Sequence, residues 1–118
     1  MTRAAQSILA FGLYLIALAL GLLLFPNGML ALFRQPPTSE PWLRVVGIVV
    51  LVVGSYYVSA ARAGVTPFFR WTTWGRPLAG VILVTLALTG RAPYFVLILA
   101  AIDGAGALWT WLALRPAR

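Results

Sequence analysis

Apolar residues fall into four long stretches, and polar or helix-breaking residues collect between them. Ile8 to Phe25 runs for 18 residues with Tyr14 as its one polar handle. Val45 to Ala61 runs for 17 and carries Ser55, Tyr56, Tyr57 and Ser59. Pro77 to Gly90 gives 14, and Ala92 to Leu114 gives 23 with Asp103 as its sole charge. A helix needs about 20 residues to cross a bilayer core, so the first, second and fourth stretches suffice as they stand. The third is too short unless its helix starts upstream. Thr66-Pro67 offers an N-cap followed by proline at the first helical position. A helix from there reaches the required length, contains Pro77 and carries Arg76 more than a turn inside.

The ends of the stretches bear their own signals. Pro26-Asn27-Gly28 stops the first helix. Ser39-Glu40-Pro41 reads as the cap and acidic first turn of the second, and Gly64 follows its end. Gly90 closes the third, and Pro93 opens the fourth. The pattern predicts an all-α protein: a four-transmembrane-helix antiparallel bundle in a single integral membrane domain spanning 1–118, with helices over about 5–25, 40–63, 67–89 and 93–114. The loop 26–39 reads equally as an interfacial segment, through Met29 to Phe33, and as an ordinary loop with buried anchors. The first stretch outlasts the apolar core of a cleaved signal peptide, so it is expected to remain as a span.

Composition strengthens this picture. The chain of 118 residues is 62% apolar and 9% charged, with a mean hydropathy of +0.95. Soluble domains are nearer 45–50% apolar and about 25% charged. The net charge is +7, all nine cations being arginine. They are scattered between apolar stretches instead of forming a basic stripe, which speaks for membrane topology and against nucleic acid. With an even number of spans, Arg3, Arg62, Arg70, Arg76, Arg115 and Arg118 fall on the side of the termini and Arg34, Arg44 and Arg91 on the other. The positive-inside rule then places both termini in the cytoplasm of a multi-pass protein of the cell inner membrane. Trp42, Trp71, Trp74, Trp109 and Trp111 sit near helix ends, as interfacial anchors do.

The chain has no cysteine and no histidine, and Glu40 and Asp103 are its only carboxylates. Disulfides, thiolate catalysis, iron–sulfur clusters, structural zinc and a Ser-His-Asp triad are excluded. No metal site and no cofactor is expected, and a conventional enzyme is disfavoured.

Asp103 falls close to the bilayer midplane, where an ionised carboxylate costs at least a few kcal/mol unless it faces protein, water or a cation. Helical spacing puts Val96, Leu99, Gly106, Ala107 and Thr110 on its face. Its expected partner is Arg76. The functional reading of the pair is a proton or ion relay or the polar end of a ligand pocket. The plainer reading is a buried pair that fixes two helices. On the second helix, Gly47 and Gly54 share a face and read as a packing groove. Ser55, Ser59 and Arg62 form a polar stripe that either lines a narrow cavity with Tyr56 and Tyr14 or back-bonds, through its serines, to its own carbonyls. On the fourth helix, Ala100 and Gly104, with Ala101 and Ala105, give small residues at four-residue spacing, and Gly106 adds another close-packing position.

The stretch from Trp42 to Leu114 resembles small four-helix bacterial membrane proteins of the BphX-like and DoxX-like kind. The likeness lies in Arg44-x-x-Gly47, Gly54-Ser55-Tyr56-Tyr57, Gly75-Arg76, and Asp103 with Thr110. It implies a four-helix fold and carries over no catalytic residue.

Three functions remain open. The first is a non-catalytic accessory or scaffold subunit of a larger membrane assembly, with a membrane-protein partner or a second copy as its neighbour in the bilayer. The second is a small oligomeric transporter or channel using Asp103. The third is a binding protein or enzyme for a lipid-like ligand.

Overall fold

A computed structural model describes residues 1–115, all helices and turns with no strand among them. The helices are α1 (Arg3–Leu24), α2 (Pro26–Leu32), α3 (Trp42–Ala63), α4 (Thr66–Leu88) and α5 (Val96–Leu114). Three of them, α1, α3 and α5, are long and apolar enough to cross a membrane. Arg118, counted above among the arginines beside the termini, lies outside the described residues. The chain forms two compact units: Leu9–Ser59 is one, and Met1–Ile8 together with the chain from Ala60 onward is the other.

In the Leu9–Ser59 unit, α1 and α3 meet through glycines. A Cβ added at Gly12 would lie 2.8 Å from the Tyr57 Cβ, and one at Gly54 would lie 3.2 Å from the Gly12 carbonyl oxygen. Gly47 lies in the same way against Leu22, Leu23 and the Ala19 carbonyl. Without side chains in the way, the two backbones approach closely, as membrane helices do when small residues line their contact. The Phe11 and Tyr57 rings pack beside it, tilted by 44° with centroids 5.2 Å apart.

After α1 the chain turns into α2, where a loop is expected from the sequence. Pro26 stands in the first turn of that helix, where its missing N–H costs nothing. Met29 of α2 lies on Gly21 of α1. The helix then stops at Arg34, whose φ of +57° is the left-handed conformation that usually calls for glycine. The Gln35 N–H donates to the Leu30 carbonyl (2.8 Å) and the Arg34 N–H to the Ala31 carbonyl (3.0 Å), the paired bonds of a Schellman stop. The same paired bonds end α3 at Gly64 (φ +67°) and α4 at Gly90 (φ +74°), the two glycines expected there.

Three helix starts differ from expectation. For α3, Arg44 and Val45 donate to the Pro41 carbonyl and the helix begins at Trp42, while Ser39 supplies no side-chain cap. For α4, Val65 is the N-cap and Thr66 is already helical, with Pro67 one position later and no capping side chain. For α5, Tyr94 and Phe95 form a turn after Pro93, and the helix starts at Val96. A short turn over Pro93 brings the chain round before the helix begins.

In the other unit, α4 and α5 run antiparallel. Gly80 lies against Ala100, and Arg76 reaches Thr110, so positions rise on one helix as they fall on the other. Phe69, Thr72, Arg76, Gly80 and Ala87 are the buried residues of α4, and Val96, Ala100, Ala107 and Thr110 those of α5. The steps of three, four and seven residues between them mark one seam on each helix.

Candidate functional site

α4 runs unbroken through Pro77, so Arg76 is not an interfacial residue at a helix start. It lies on the buried seam and is only 4% exposed. A guanidinium so far from water needs acceptors on several sides. One turn back along the same helix, Thr72 supplies two. The Arg76 Nη2 donates to the Thr72 hydroxyl (3.0 Å) and the Nε to the Thr72 carbonyl (3.4 Å). The Thr72 hydroxyl in turn donates to the Phe69 carbonyl, 2.7 Å away.

The third acceptor comes from α5. Nη2 also donates to the Thr110 hydroxyl at 2.7 Å, and charge assistance makes this the strong bond of the group. Thr110 is fully buried, and its hydroxyl oxygen lies 3.1 Å from the Gly106 carbonyl of its own helix. The same oxygen lies 2.7 Å from the Ser7 hydroxyl at the start of α1. Ser7 is buried as well, with its hydroxyl 2.7 Å from the Ala4 carbonyl. A run of hydroxyls thus leads from α4 across α5 to the first turns of α1, all inside one unit.

Asp103 occupies the position between Ala100 and Ala107 on the α5 seam, is half-buried, and stands near the middle of the helix. The Arg76 charge acts on its carboxyl through space. Arg76 and Asp103 therefore belong to facing seams of one helix pair, and the hydrogen bonds described for the guanidinium go to the threonines.

Of the other residues singled out in the sequence, Gly47 and Gly54 lie against α1, and Gly106 provides the carbonyl that Thr110 uses. Gly104 has open space where a Cβ would stand; Ala100 is the small residue that meets α4. Tyr56 and Ser59 belong to the Leu9–Ser59 unit and are exposed, Tyr56 by 63%. Ser55, also exposed, donates to the Val52 carbonyl, the back-bond common for serine in membrane helices. The sequence singles out neither Thr72 nor Ser7. Thr72 is legible from its place four residues before Arg76 on the same face; Ser7 is not, because 103 residues separate it from Thr110. A further cation, Arg44, donates from Nε to the Leu23 carbonyl at the end of α1 (3.1 Å), a favourable place for positive charge.

Chemically, this is a cation held by neutral oxygens, with one carboxyl in electrostatic reach. Among the described residues no group of three or more metal-ligating acids, cysteines or histidines occurs. A comparison with protein-family models, with curated proteins and with solved structures gives no match for the chain.

Proposed function

We propose that this chain is a multi-pass protein of the inner membrane, with α1, α3, α4 and α5 as four antiparallel spans and both termini in the cytoplasm. Its function in that reading is a non-catalytic accessory subunit of a larger membrane assembly. The observation that carries it is the face of α3 on which Tyr56 and Ser59 are exposed, on a helix apolar enough to span. Hydroxyl groups on the outside of a spanning helix suit a protein neighbour better than acyl chains. The Arg76 cluster supports a non-catalytic role, because its hydroxyls and guanidinium bond to one another and so join helix segments of one unit.

Purification in mild detergent tests the proposal. The expected result is a stoichiometric membrane-protein partner that is lost in Tyr56→Leu/Ser59→Leu while the melting temperature of the chain is kept. Elution of the chain alone would overturn it.

A second reading, a small oligomeric transporter, is favoured by Asp103 at mid-helix under the field of Arg76. Ion flux in proteoliposomes that disappears in Asp103→Asn would move the conclusion to that reading.

A further inference from the structure

Two arginines and two tryptophans meet at one end of the α4–α5 pair. Helical spacing strings Arg70, Trp74, Pro77 and Val81 along one stripe of α4. Gly104, Leu108 and Trp111 form a stripe of α5, with Arg115 just past its end. Pro77, Val81 and Gly104 line one open groove between the helices, so both stripes face the same side. The helices touch where Gly80 lies against Ala100. Ten residues back along α4 stands Arg70, and ten residues on along α5 stands Thr110, beside Trp111. In an antiparallel pair this sets Arg70 level with Trp111. Arg70, Trp74, Trp111 and Arg115 are all exposed.

We infer that Arg70 and Arg115 form a binding site for the headgroup phosphate of an anionic membrane phospholipid, with Trp74 and Trp111 as its flanking rings. The site rests on the reading of α4 and α5 as spans whose shared end is cytoplasmic.

Charge makes the ligand an anion. The Arg115 guanidinium lies over the Trp111 ring, 5.2 Å from its centroid, and so folds back to the level of Arg70. Stacking engages the flat face of a guanidinium and leaves the N–H groups on its rim to donate outward. The carboxylate of this unit, Asp103, stands eight residues before Trp111, about 12 Å along the helix. Glu40 belongs to the other unit.

The order of side chains makes the bilayer its source. Toward this end α4 exposes Leu78, then Trp74 and Trp71, then Arg70. Toward the same end α5 exposes Leu108, then Trp109 and Trp111, then Arg115. Hydrocarbon, amphipathic ring and cation follow one another as acyl chain, interface and phosphate do in a leaflet. A soluble phosphate has no use for the rings or for the apolar side chains beneath them.

The test titrates the full chain in non-ionic micelles with phosphatidylglycerol, or with phosphatidylcholine of the same acyl chains, and reads bound lipid by native mass spectrometry. Phosphatidylglycerol is expected to bind about tenfold tighter. Arg70→Gln/Arg115→Gln is expected to bring it down to the phosphatidylcholine level. Arg34→Gln/Arg91→Gln removes as much charge elsewhere and is expected to keep the preference. If the first pair loses its melting transition, its two single variants take its place, each expected to lose part of the preference. Equal affinity for the two lipids, or a preference that survives in the Arg70 and Arg115 variants, overturns the site. An equal loss in Arg34→Gln/Arg91→Gln also overturns it, since net charge alone would then attract the lipid. Displacement by inorganic phosphate at constant ionic strength overturns it as well and assigns the patch to a soluble anion. An alkaline carbonate wash of membranes tests the spans separately. A chain that stays in the pellet yet shows no preference loses the site alone, whereas a chain washed into the supernatant loses the spans and the site with them.

Discussion

Where α1 meets α3, glycine lets one backbone rest on the other; where α4 meets α5, an arginine is threaded between helices and tied off on threonines. In the proposed four-span reading, burying hydrocarbon at either contact gives no advantage over leaving it in lipid, so each contact needs another source of attraction. The first draws on dispersion at short range. It specifies shape closely and tolerates no added volume. The second draws on charge-assisted hydrogen bonds. It tolerates slack, to the point of leaving a groove open beside Gly104, but depends on particular oxygen atoms.

The difference is best broken by volume on one side and by oxygen on the other. Gly12→Leu forces a side chain into the Tyr57 Cβ and is expected to cost about 3 kcal/mol, the upper part of the range for overpacking. It should be visible as loss of the helical circular-dichroism transition at lower denaturant in mixed micelles. Thr110→Val keeps the volume and removes the oxygen shared by Arg76 and Ser7. About 2 kcal/mol is expected, since a bond to a buried charge is lost. Ser7→Ala leaves Thr110 joined to Arg76 and to Gly106, and about 1 kcal/mol should disappear. A larger loss for Ser7→Ala than for Thr110→Val, in the same unfolding assay, would mean that the cation is not the centre of the cluster. The smallest effect has the opposite sign. Gly75 sits inside α4 with nothing near its Cβ position, so Gly75→Ala should raise stability by about 0.5 kcal/mol through helix propensity alone.

Much of the helical layout is legible in the sequence, because it rests on local chemistry. The requirement for a span of full length pulled the α4 start back to Thr66-Pro67, and Gly64 and Gly90 marked their stops since only an easy left-handed residue closes a helix in that way. Pro93 misled because proline serves a turn as well as a helix start. α2 escaped because its stop falls on Arg34, in a conformation that the residue type argues against. Within the site, Asp103, Arg76 and Thr110 were legible as polar residues in apolar stretches, and Thr72 follows once the seam 69-72-76-80 is drawn. Ser7 is silent: nothing near it in the chain says that Thr110 will arrive beside it. The seven-residue spacing of Gly47 and Gly54 announced a contact face, yet Gly12, opposite them, looks like any glycine in an apolar run.

Counting hydrogens at the Ser7–Thr110 junction gives a consequence of its own. Three close oxygen pairs meet there, Ser7 with the Ala4 carbonyl, Ser7 with Thr110, and Thr110 with the Gly106 carbonyl, while the two hydroxyls own one hydrogen each. Either Ser7 points at Ala4 and Thr110 points at Ser7, or Ser7 points at Thr110 and Thr110 at Gly106. The heavy atoms are the same in both arrangements and the small dipole between the two helices is reversed. Arg76 donates to Thr110 in either one. Taking away the Ser7 hydroxyl therefore removes more than a bond: it leaves the Thr110 hydrogen with a single direction, toward Gly106.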